Sequence, residues 1–351
     1  MKIGSTTTRM QFRIPLLACL GLSAALLLGA VARAQPIEAP VLESVRLQSA
    51  VTIRATLGTT NWIMVADALN PSAWRVLTNV VVERSPYVFI DTEAASWQRY
   101  YQVMAGPEPP VTTWDTNEWA YMPPGTFTMG SPEGESDRDG DEGPQTEVTL
   151  TSGFWMGRYE VTQRQYLAVM GTNPSYYTGD LDRPVETVTW DDAVNYCAAL
   201  TAQERATGRL PDGWEYRLPT EAQWEYACRA GTTTQFSYGD DPAYAQLADY
   251  GWYDANSGSQ THPVGQKLPN PWGLYDMHGN VWEWCLDFYE DSLPGGSVAD
   301  PVGPSSGSSR VYRGGCWEFP GQMCRSADRR RVAPSLTDRT LGFRVAAVQV
   351  R

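Results

Sequence analysis

The sequence predicts an α+β protein in which a small all-β module precedes a larger domain with little regular secondary structure. Three observations support this fold class. The segment "GPEPP" near residue 106 is a stiff, extended connector that divides the chain. Before it, short apolar runs alternate at period two and are separated by turn signals such as "LGTT". After it, the chain is rich in Trp, Gly and Tyr and has few long periodic segments.

Residues 1–34 have the pattern of a secretory signal. They contain four basic residues and no acid, with an apolar run over 14–31 that ends in "ARA". This predicts cleavage after Ala34 and a secreted or periplasmic protein with no transmembrane segment in the mature chain, an uncleaved anchor being the alternative. Cys19 follows "LLA" as in a lipoprotein, but the apolar run before it is too short, so lipid anchoring ranks second.

Residues 35–105 form the predicted all-β module, which reads as a small sandwich. The module contains no histidine and no cysteine, so nothing in it points to catalysis. Residues 106–112 are the Pro-rich linker and residues 113–351 the larger domain.

Three helices of the larger domain are placed by their capping residues. Thr162 and Thr220 each precede a glutamine by three residues, which is a capping box, and a glycine ends each segment. A third helix begins at Thr189 or Asp191 in "TWDDAVNYCAAL". A domain with so much remaining loop needs fastening by metal, disulfide or aromatic packing.

The charge and the histidine count exclude several classes of function. The net charge of −13 disfavours binding to nucleic acid or anionic lipid. Two histidines are too few for a His-rich zinc or iron site, and His278 reads as a loop residue rather than a base. The chain has no Gly-x-Ser-x-Gly elbow and no Walker loop.

Seven sequence blocks occur in one order: "MPPGTFTMGS", "GRYEVTQRQY", "PVETVTWDDAVNYC", "YRLPTEAQWEYACRAG", "NPWGLYDMHGNVWEW", "RVYRGG" and "LGFRVA". Together they resemble the formylglycine-generating enzyme, or sulfatase-modifying factor, family over about residues 113–350. The resemblance implies a C-type-lectin-like fold. It also implies an enzyme that oxidises the cysteine of a sulfatase Cys-x-Pro-x-Arg segment to formylglycine, with oxygen and a copper ion held by two thiolates, the soft ligands that favour Cu(I).

The catalytic cysteines implied by the resemblance are not matched. Aligned from "RVYRGG", the first falls on Phe319 and the second in a segment that this chain shortens. Cys316 and Cys324 are weak candidates for a shifted copper pair, against a disulfide or buried free thiols. We therefore expect a divergent member that serves as a binding or accessory domain for an extracellular peptide or glycan. The alternative is a copper-dependent oxidase that acts on exported sulfatases.

The resemblance also implies two structural calcium sites built from oxygen ligands. The first has the side chains of Asp249 and Asn256 and the carbonyls of Tyr250 and Gly258. The second has the side chains of Asp276 and Glu283 and the carbonyls of Met277, Gly279 and Val281. Two tryptophans flank Glu283, so an unpaired charge there is costly and either a cation or an arginine partner is expected.

A ligand groove is predicted from Trp317, Phe319, Arg325 and Arg329, for an anionic or peptide ligand. The alternative reading is that the arginines bridge carboxylates in the core, as guanidinium groups do well.

One disulfide is expected from the resemblance, between Cys228 and the strand that follows the catalytic loop, at the place of Ser326. Cys324 lies two residues earlier, and residues two apart in a strand share a face, so the predicted bridge is Cys228–Cys324. Cys316 is the competing partner for Cys324. Five cysteines follow residue 34, so at least one stays free.

Overall fold

The computed structural model describes residues 118–350 and, before them, the backbone of five strands. These strands are β1 (Ser49–Ile53), β2 (Thr60–Ala66), β3 (Arg75–Val81), β4 (Tyr87–Asp91) and β5 (Tyr100–Ala105). β1 pairs with β4, and β2 lies between β3 and β5, with every pairing antiparallel. The period-two runs before residue 106 thus form strands. The predicted signal at 1–34, Cys19 and the linker at 106–112 lie outside the described residues.

Residues 118–350 belong to a second compact unit, which contains all the described helices. These are α1 (Gln163–Met170), α2 (Trp190–Ala206), α3 (Glu221–Arg229) and the single turn α4 (Leu247–Tyr250). Among the described residues, no helix has the length and apolar character needed to cross a membrane.

The predicted capping residues begin the first three helices. Thr162, Thr189 and Thr220 each accept a hydrogen bond from the backbone N–H three residues on, and all three form capping boxes. Gly171 ends α1 with φ 75°, as predicted. α3 ends one residue earlier than expected, because Ala230 itself takes the left-handed conformation before the glycine.

Eleven described strands of this unit form three small sheets. They are β6 (Trp119–Met122), β7 (Gly125–Met129), β8 (Thr146–Leu150), β9 (Phe154–Gly157), β10 (Trp214–Arg217), β11 (Trp282–Phe288), β12 (Gly296–Ala299), β13 (Arg310–Arg313), β14 (Arg330–Val332), β15 (Leu341–Gly342) and β16 (Ala346–Gln349). The sheet orders are β10-β16-β9-β6, β14-β13-β11-β15 and β12-β8-β7. Short strands and long loops agree with the predicted fold class.

The core of this unit is aromatic and, unusually, rich in buried charge. Trp224 and Trp284 are its largest fully buried side chains, but Arg313, Arg325 and Arg344 follow directly. Buried guanidinium groups are stable only when carboxylates pair with them, so much of the core is built from ion pairs.

Candidate functional site

The loop between β13 and β14 carries the two candidate copper ligands. Cys316 and Cys324 are both fully buried, and both are free thiols. Burial raises the pKa of Cys316 to about 12, and hydrogen bonds from the backbone of Glu318 and Phe319 oppose this only in part. Burial also raises the pKa of Cys324 well above its ordinary value. Because thiolate is the form that binds metal, this environment works against a copper pair.

The predicted Cys228–Cys324 disulfide is absent, since all five cysteines among the described residues are free. Residues Gly321–Cys324 form a 3-10 turn rather than a strand, so Cys324 does not share a face with Ser326. Its side chain packs with Phe236. The thiol of Cys228 instead lies 3.7 Å from the Ser326 hydroxyl, at the place where the resemblance puts the bridge.

Arg325 and Arg329 do not line a groove, which corrects that prediction. Arg325 is fully buried and donates to both oxygens of Glu142 at 2.6 and 2.8 Å. Arg329 is 4% exposed and binds Glu221 bidentately at 2.6 and 2.9 Å. The structure agrees with the alternative, in which these arginines pair with carboxylates in the core.

Of the other two predicted groove residues, Trp317 lines a cavity, and Phe319 follows the lining residue Glu318 in the chain. The cavity has a volume of about 230 Å³ and is lined by Tyr177, Asp254, Ser259, Trp317, Glu318 and Arg339. Trp317 forms its buried wall, with 2% of the residue exposed. Phe319 is 38% exposed and lies next to it, 6.3 Å from the ring of Trp282, with its carbonyl accepting from the Asp254 backbone. We call this cavity and Phe319 the Trp317 crevice.

Hydrogen bonds hold the aromatic side of the crevice in place. The Tyr177 ring packs edge-on against Trp317 at 5.3 Å, and its hydroxyl donates to the Ser259 carbonyl at 2.9 Å. The buried carboxylate of Glu186 accepts from the Tyr177 backbone N–H at 2.8 Å. Burial raises the pKa of Glu186 despite these hydrogen bonds. Glu186 therefore attaches the loop that carries Tyr176 and Tyr177 to the core.

Charged groups form the rim of the crevice. Arg339 pairs with Glu318 at 2.6 Å, and its guanidinium lies 5.2 Å from the Trp317 ring and 5.9 Å from the Tyr176 ring. Tyr176 is 66% exposed, so its ring is available to a ligand. Sequence reasoning missed Tyr177, Asp254, Ser259 and Glu318 as site residues. The tyrosine pair in the turn-rich "NPSYYTG" was the one local signal.

The first predicted calcium set stays a prediction. The Asn256 amide oxygen accepts from the Tyr253 backbone N–H at 2.8 Å and its nitrogen donates to the Gly251 carbonyl at 2.9 Å, so this side chain closes its own loop. The Asp249 backbone carbonyl accepts from the Leu268 N–H. Tyr250 stacks on Tyr238 at 4.1 Å, and Gly258 has φ 62°. Of the two predicted side-chain ligands, Asn256 is thus engaged within the protein.

The second set fits a cation only in part. Glu283 is bound by Arg344, with three contacts between 2.7 and 3.1 Å, and accepts from the Trp224 indole at 2.7 Å. The arginine alternative is therefore the one present. Asp276 accepts from the Gly265 backbone with one oxygen, while its other oxygen is buried with no partner among the described residues. Burial raises the pKa of Asp276 to about 6.

The loop of the second set is tightly wound, as loops with inward carbonyls are. Gly279 has φ 143°, and a Cβ there would lie 2.3 Å from the Trp252 carbonyl oxygen. The Met277 carbonyl accepts weakly from the Cys228 thiol at 3.8 Å. Val281 donates its backbone N–H to Glu160, whose pKa burial raises well above its ordinary value. The ligand atoms available to an ion are therefore the unpaired Asp276 oxygen and the carbonyls of this loop.

His278 is a structural residue of the same loop. The Ser237 backbone N–H donates to Nε2 at 3.2 Å, which assigns the proton to Nδ1, and Nδ1 donates to the Cys324 carbonyl at 2.9 Å. Burial lowers the pKa of His278 to about 4. The ring is thus neutral and shielded from water, as expected of a loop residue rather than a base.

The carboxylates of Asp139, Glu142 and Asp328 approach one another closely enough to hold a metal ion. Arg330 pairs with Asp139 at 3.0 Å and with Asp328 at 2.8 Å, and Arg325 takes Glu142. Guanidinium groups already fill the place of a cation in this cluster.

Comparison with known proteins identifies the family. The model of the sulfatase-modifying factor enzyme 1-like domain matches residues 106–348. The chaperone protein LppX of Paenibacillus barcinonensis is 36% identical over 48% of this chain and 71% of its own length. The formylglycine-generating enzyme of Mus musculus is 29% identical over 72% of this chain and 82% of its own. The serine/threonine-protein kinase pkn1 of Chlamydia caviae is 34% identical, and this chain spans only 38% of its length.

Solved structures support the fold. Treponema denticola variable protein 1 superposes with a TM-score of 0.58 at 34% identity, over 65% of this chain and 94% of that one. PvdO from Pseudomonas aeruginosa superposes with a TM-score of 0.56 at 34% identity, over 65% of this chain and 93% of that one. Both are similar to this chain in its larger unit and share its C-type-lectin-like architecture. The chain therefore belongs to the sulfatase-modifying factor enzyme 1-like family.

Proposed function

We propose that the domain binds a peptide in the Trp317 crevice and does not form formylglycine. One observation carries the proposal: an exposed phenylalanine, Phe319, stands where the family resemblance puts the first catalytic cysteine. The two thiols of the same loop are buried. The signal predicted at residues 1–34 supports a location outside the cytoplasm for this binding.

The proposed loss of oxidase chemistry follows from what copper requires. Cu(I) binds thiolate, and burial raises the pKa of Cys316 to about 12, so the thiolate is harder to form there than at an ordinary cysteine. A phenyl ring supplies no ligand and no redox chemistry in the place of a thiolate. The rival reading, a copper-dependent oxidase for exported sulfatases, needs Cys316 and Cys324 to give up their protons to copper within the core.

The chemistry of the crevice favours a peptide with apolar and basic side chains. Tyr176 and Phe319 offer ring faces on which an apolar or guanidinium group can stack. Asp254 and Glu318 both line the cavity, against one arginine, so its local charge is negative. A volume of about 230 Å³ accommodates a side chain rather than a large cofactor.

The test is to incubate the pure protein with a fluorescent Cys-x-Pro-x-Arg peptide, Cu(I) and oxygen, and to record anisotropy and peptide mass together. We expect binding without a change in mass. Asp254→Asn should weaken binding about three- to tenfold by removing one charge, whereas Asp291→Asn, with a side chain 90% exposed, should not.

Two results would contradict the proposal. A mass loss for thiol-to-aldehyde conversion that disappears in Cys316→Ser or Cys324→Ser would establish the oxidase. Binding to a glycan array, with no binding to this peptide or to others rich in arginine and aromatic residues, would change the ligand class to glycans.

A further inference from the structure

A second cavity, remote from the Trp317 crevice in sequence, lies between the first two helices and the sheet β10-β16-β9-β6. Its volume is about 290 Å³. α1 and α2 contact each other through the stacked rings of Tyr166 and Tyr196, 5.4 Å apart, and the cavity opens between these helices and the strands. We propose that it binds a small organic ammonium ion.

Aromatic rings form its walls. Trp119 of β6 and Tyr216 of β10 stack at 5.2 Å although they come from opposite edges of the sheet. The strands between them leave room, because Gly157 pairs with Trp119 and Ala347 pairs with Tyr216. Tyr196 lines the cavity from α2. The faces of such rings are electron-rich and attract cations, with Trp the strongest.

Carboxylates add negative charge beside the rings. Glu118 and Glu204 both line the cavity. Glu204 is neutralised by Arg209, with an oxygen–nitrogen distance of 2.6 Å, so Glu118 provides the net charge. Glu118 is held in position by the Gln165 amide, which donates to it at 2.8 Å. The pKa of Tyr196 is raised by burial first, then by the neighbouring Cys197 and then by Glu118. The charge of Glu118 therefore lies close to the Tyr196 ring.

Size and polarity define the class of ligand. The cavity has the volume of roughly ten water molecules, so it admits a compact ion rather than a polymer. Its floor includes the apolar side chains of Val161, Val169 and Leu200, which suit an alkyl body. Anions are disfavoured by Glu118. A quaternary ammonium such as choline combines charge, small size and apolar surface.

The test uses two probes that differ in charge alone. Choline and its uncharged isostere 3,3-dimethylbutanol are titrated into the full-length protein by isothermal calorimetry. We expect choline to bind about tenfold more tightly, because the isostere fills the cavity but makes no cation–π contact and no contact with Glu118. Phosphocholine distinguishes a free amine from a lipid headgroup: its phosphate adds negative charge to a cavity that already carries Glu118, so it should bind more weakly than choline.

Variants locate the site. Glu118→Gln keeps the hydrogen bond to Gln165 and removes the charge, and it should weaken choline binding about three- to tenfold. Glu133→Gln, at an exposed position in another loop, should change nothing. The proposal is overturned if choline and its isostere bind equally, if neither binds, or if Glu118→Gln leaves choline binding unchanged. None of these results depends on the Trp317 crevice.

Discussion

The carboxylate of Glu283 and the guanidinium of Arg344 face each other where water is excluded. They are 1% and 0% exposed as side chains and lie 2.7 Å apart at the shortest contact. Removing one partner of a buried pair takes the hydrogen-bonded counter-charge away from the other. Glu283→Gln should therefore lower the free energy of unfolding by about 3–5 kcal/mol, measured by urea denaturation.

A surface pair provides the matched control. Arg164 and Asp182 lie 2.9 Å apart, a similar distance, but both side chains are 61% exposed. Asp182→Asn should cost less than about 1 kcal/mol, because water screens the exposed pair. If Glu283→Gln cost no more than Asp182→Asn, the buried pair would have no structural role.

Single residues were predictable where a neighbour in sequence constrains them. The tryptophans beside Glu283 predicted a charged partner, and the partner is Arg344. The arginines at 325 and 329 left two readings open because their partners, Glu142 and Glu221, come from distant segments. An arginine can be buried only where the fold brings a carboxylate next to it, and a single sequence does not show which carboxylate that will be.

At the scale of the element, the N-terminus of α3 depends on an acid from β11. Asp287 accepts the Glu221 backbone N–H at 2.9 Å. Burial, and then the charge of Glu221, raise the pKa of Asp287 from 3.8 to about 7. Because the folded-state pKa is the higher one, the folded state binds the proton more tightly. The stability from this group is complete below about pH 4 and is lost as pH rises through about 7.

Asp287→Asn should flatten this part of the pH dependence. The amide keeps an oxygen for the Glu221 N–H but cannot ionise. Between pH 4 and pH 8 the free energy of unfolding falls in the parent, and in the variant this fall should be smaller by about 2–4 kcal/mol. Urea denaturation at several pH values measures it. Asp291→Asn, with a side chain 90% exposed, is the control and should keep the parent profile. Parallel profiles for the parent and Asp287→Asn would exclude the assignment.

Helices were more predictable than strands for a physical reason. A capping box involves residues three apart, so Thr162, Thr189 and Thr220 revealed the starts of α1, α2 and α3. Strands of four residues, such as β16, are defined by partners more than a hundred residues away in the chain. The 3-10 turn at Cys324 also follows from tertiary packing, so a strand-based prediction of its disulfide was wrong.

Over the whole molecule, buried ion pairs and aromatic packing fasten a domain that has little regular secondary structure. The sequence predicted that fastening was needed but left metal, disulfide and aromatic packing open. Arg313, Arg325 and Arg344, each fully buried, cross-link the sheets and loops through carboxylates. Near Arg344, however, Glu160, Asp276 and Glu283 give three buried carboxylates. Burial and the neighbouring carboxylates raise the pKa of both Glu160 and Asp276, and a structural cation here would relieve that repulsion.

Calcium at the second set is therefore our last proposal, held by the free oxygen of Asp276 and the carbonyls of its loop. A ligand bound only to the folded state stabilises it by mass action, by about 2.7 kcal/mol at a hundred times its Kd. A chelator should accordingly lower the Tm by several degrees, and Asp276→Asn should abolish that response. Asp212→Asn, at an exposed position outside both predicted sets, is the control and should respond to the chelator as the parent does. Elemental analysis that finds no calcium in the purified protein would remove the site. A chelator that leaves the Tm unchanged, in protein shown to contain calcium, would remove its structural role.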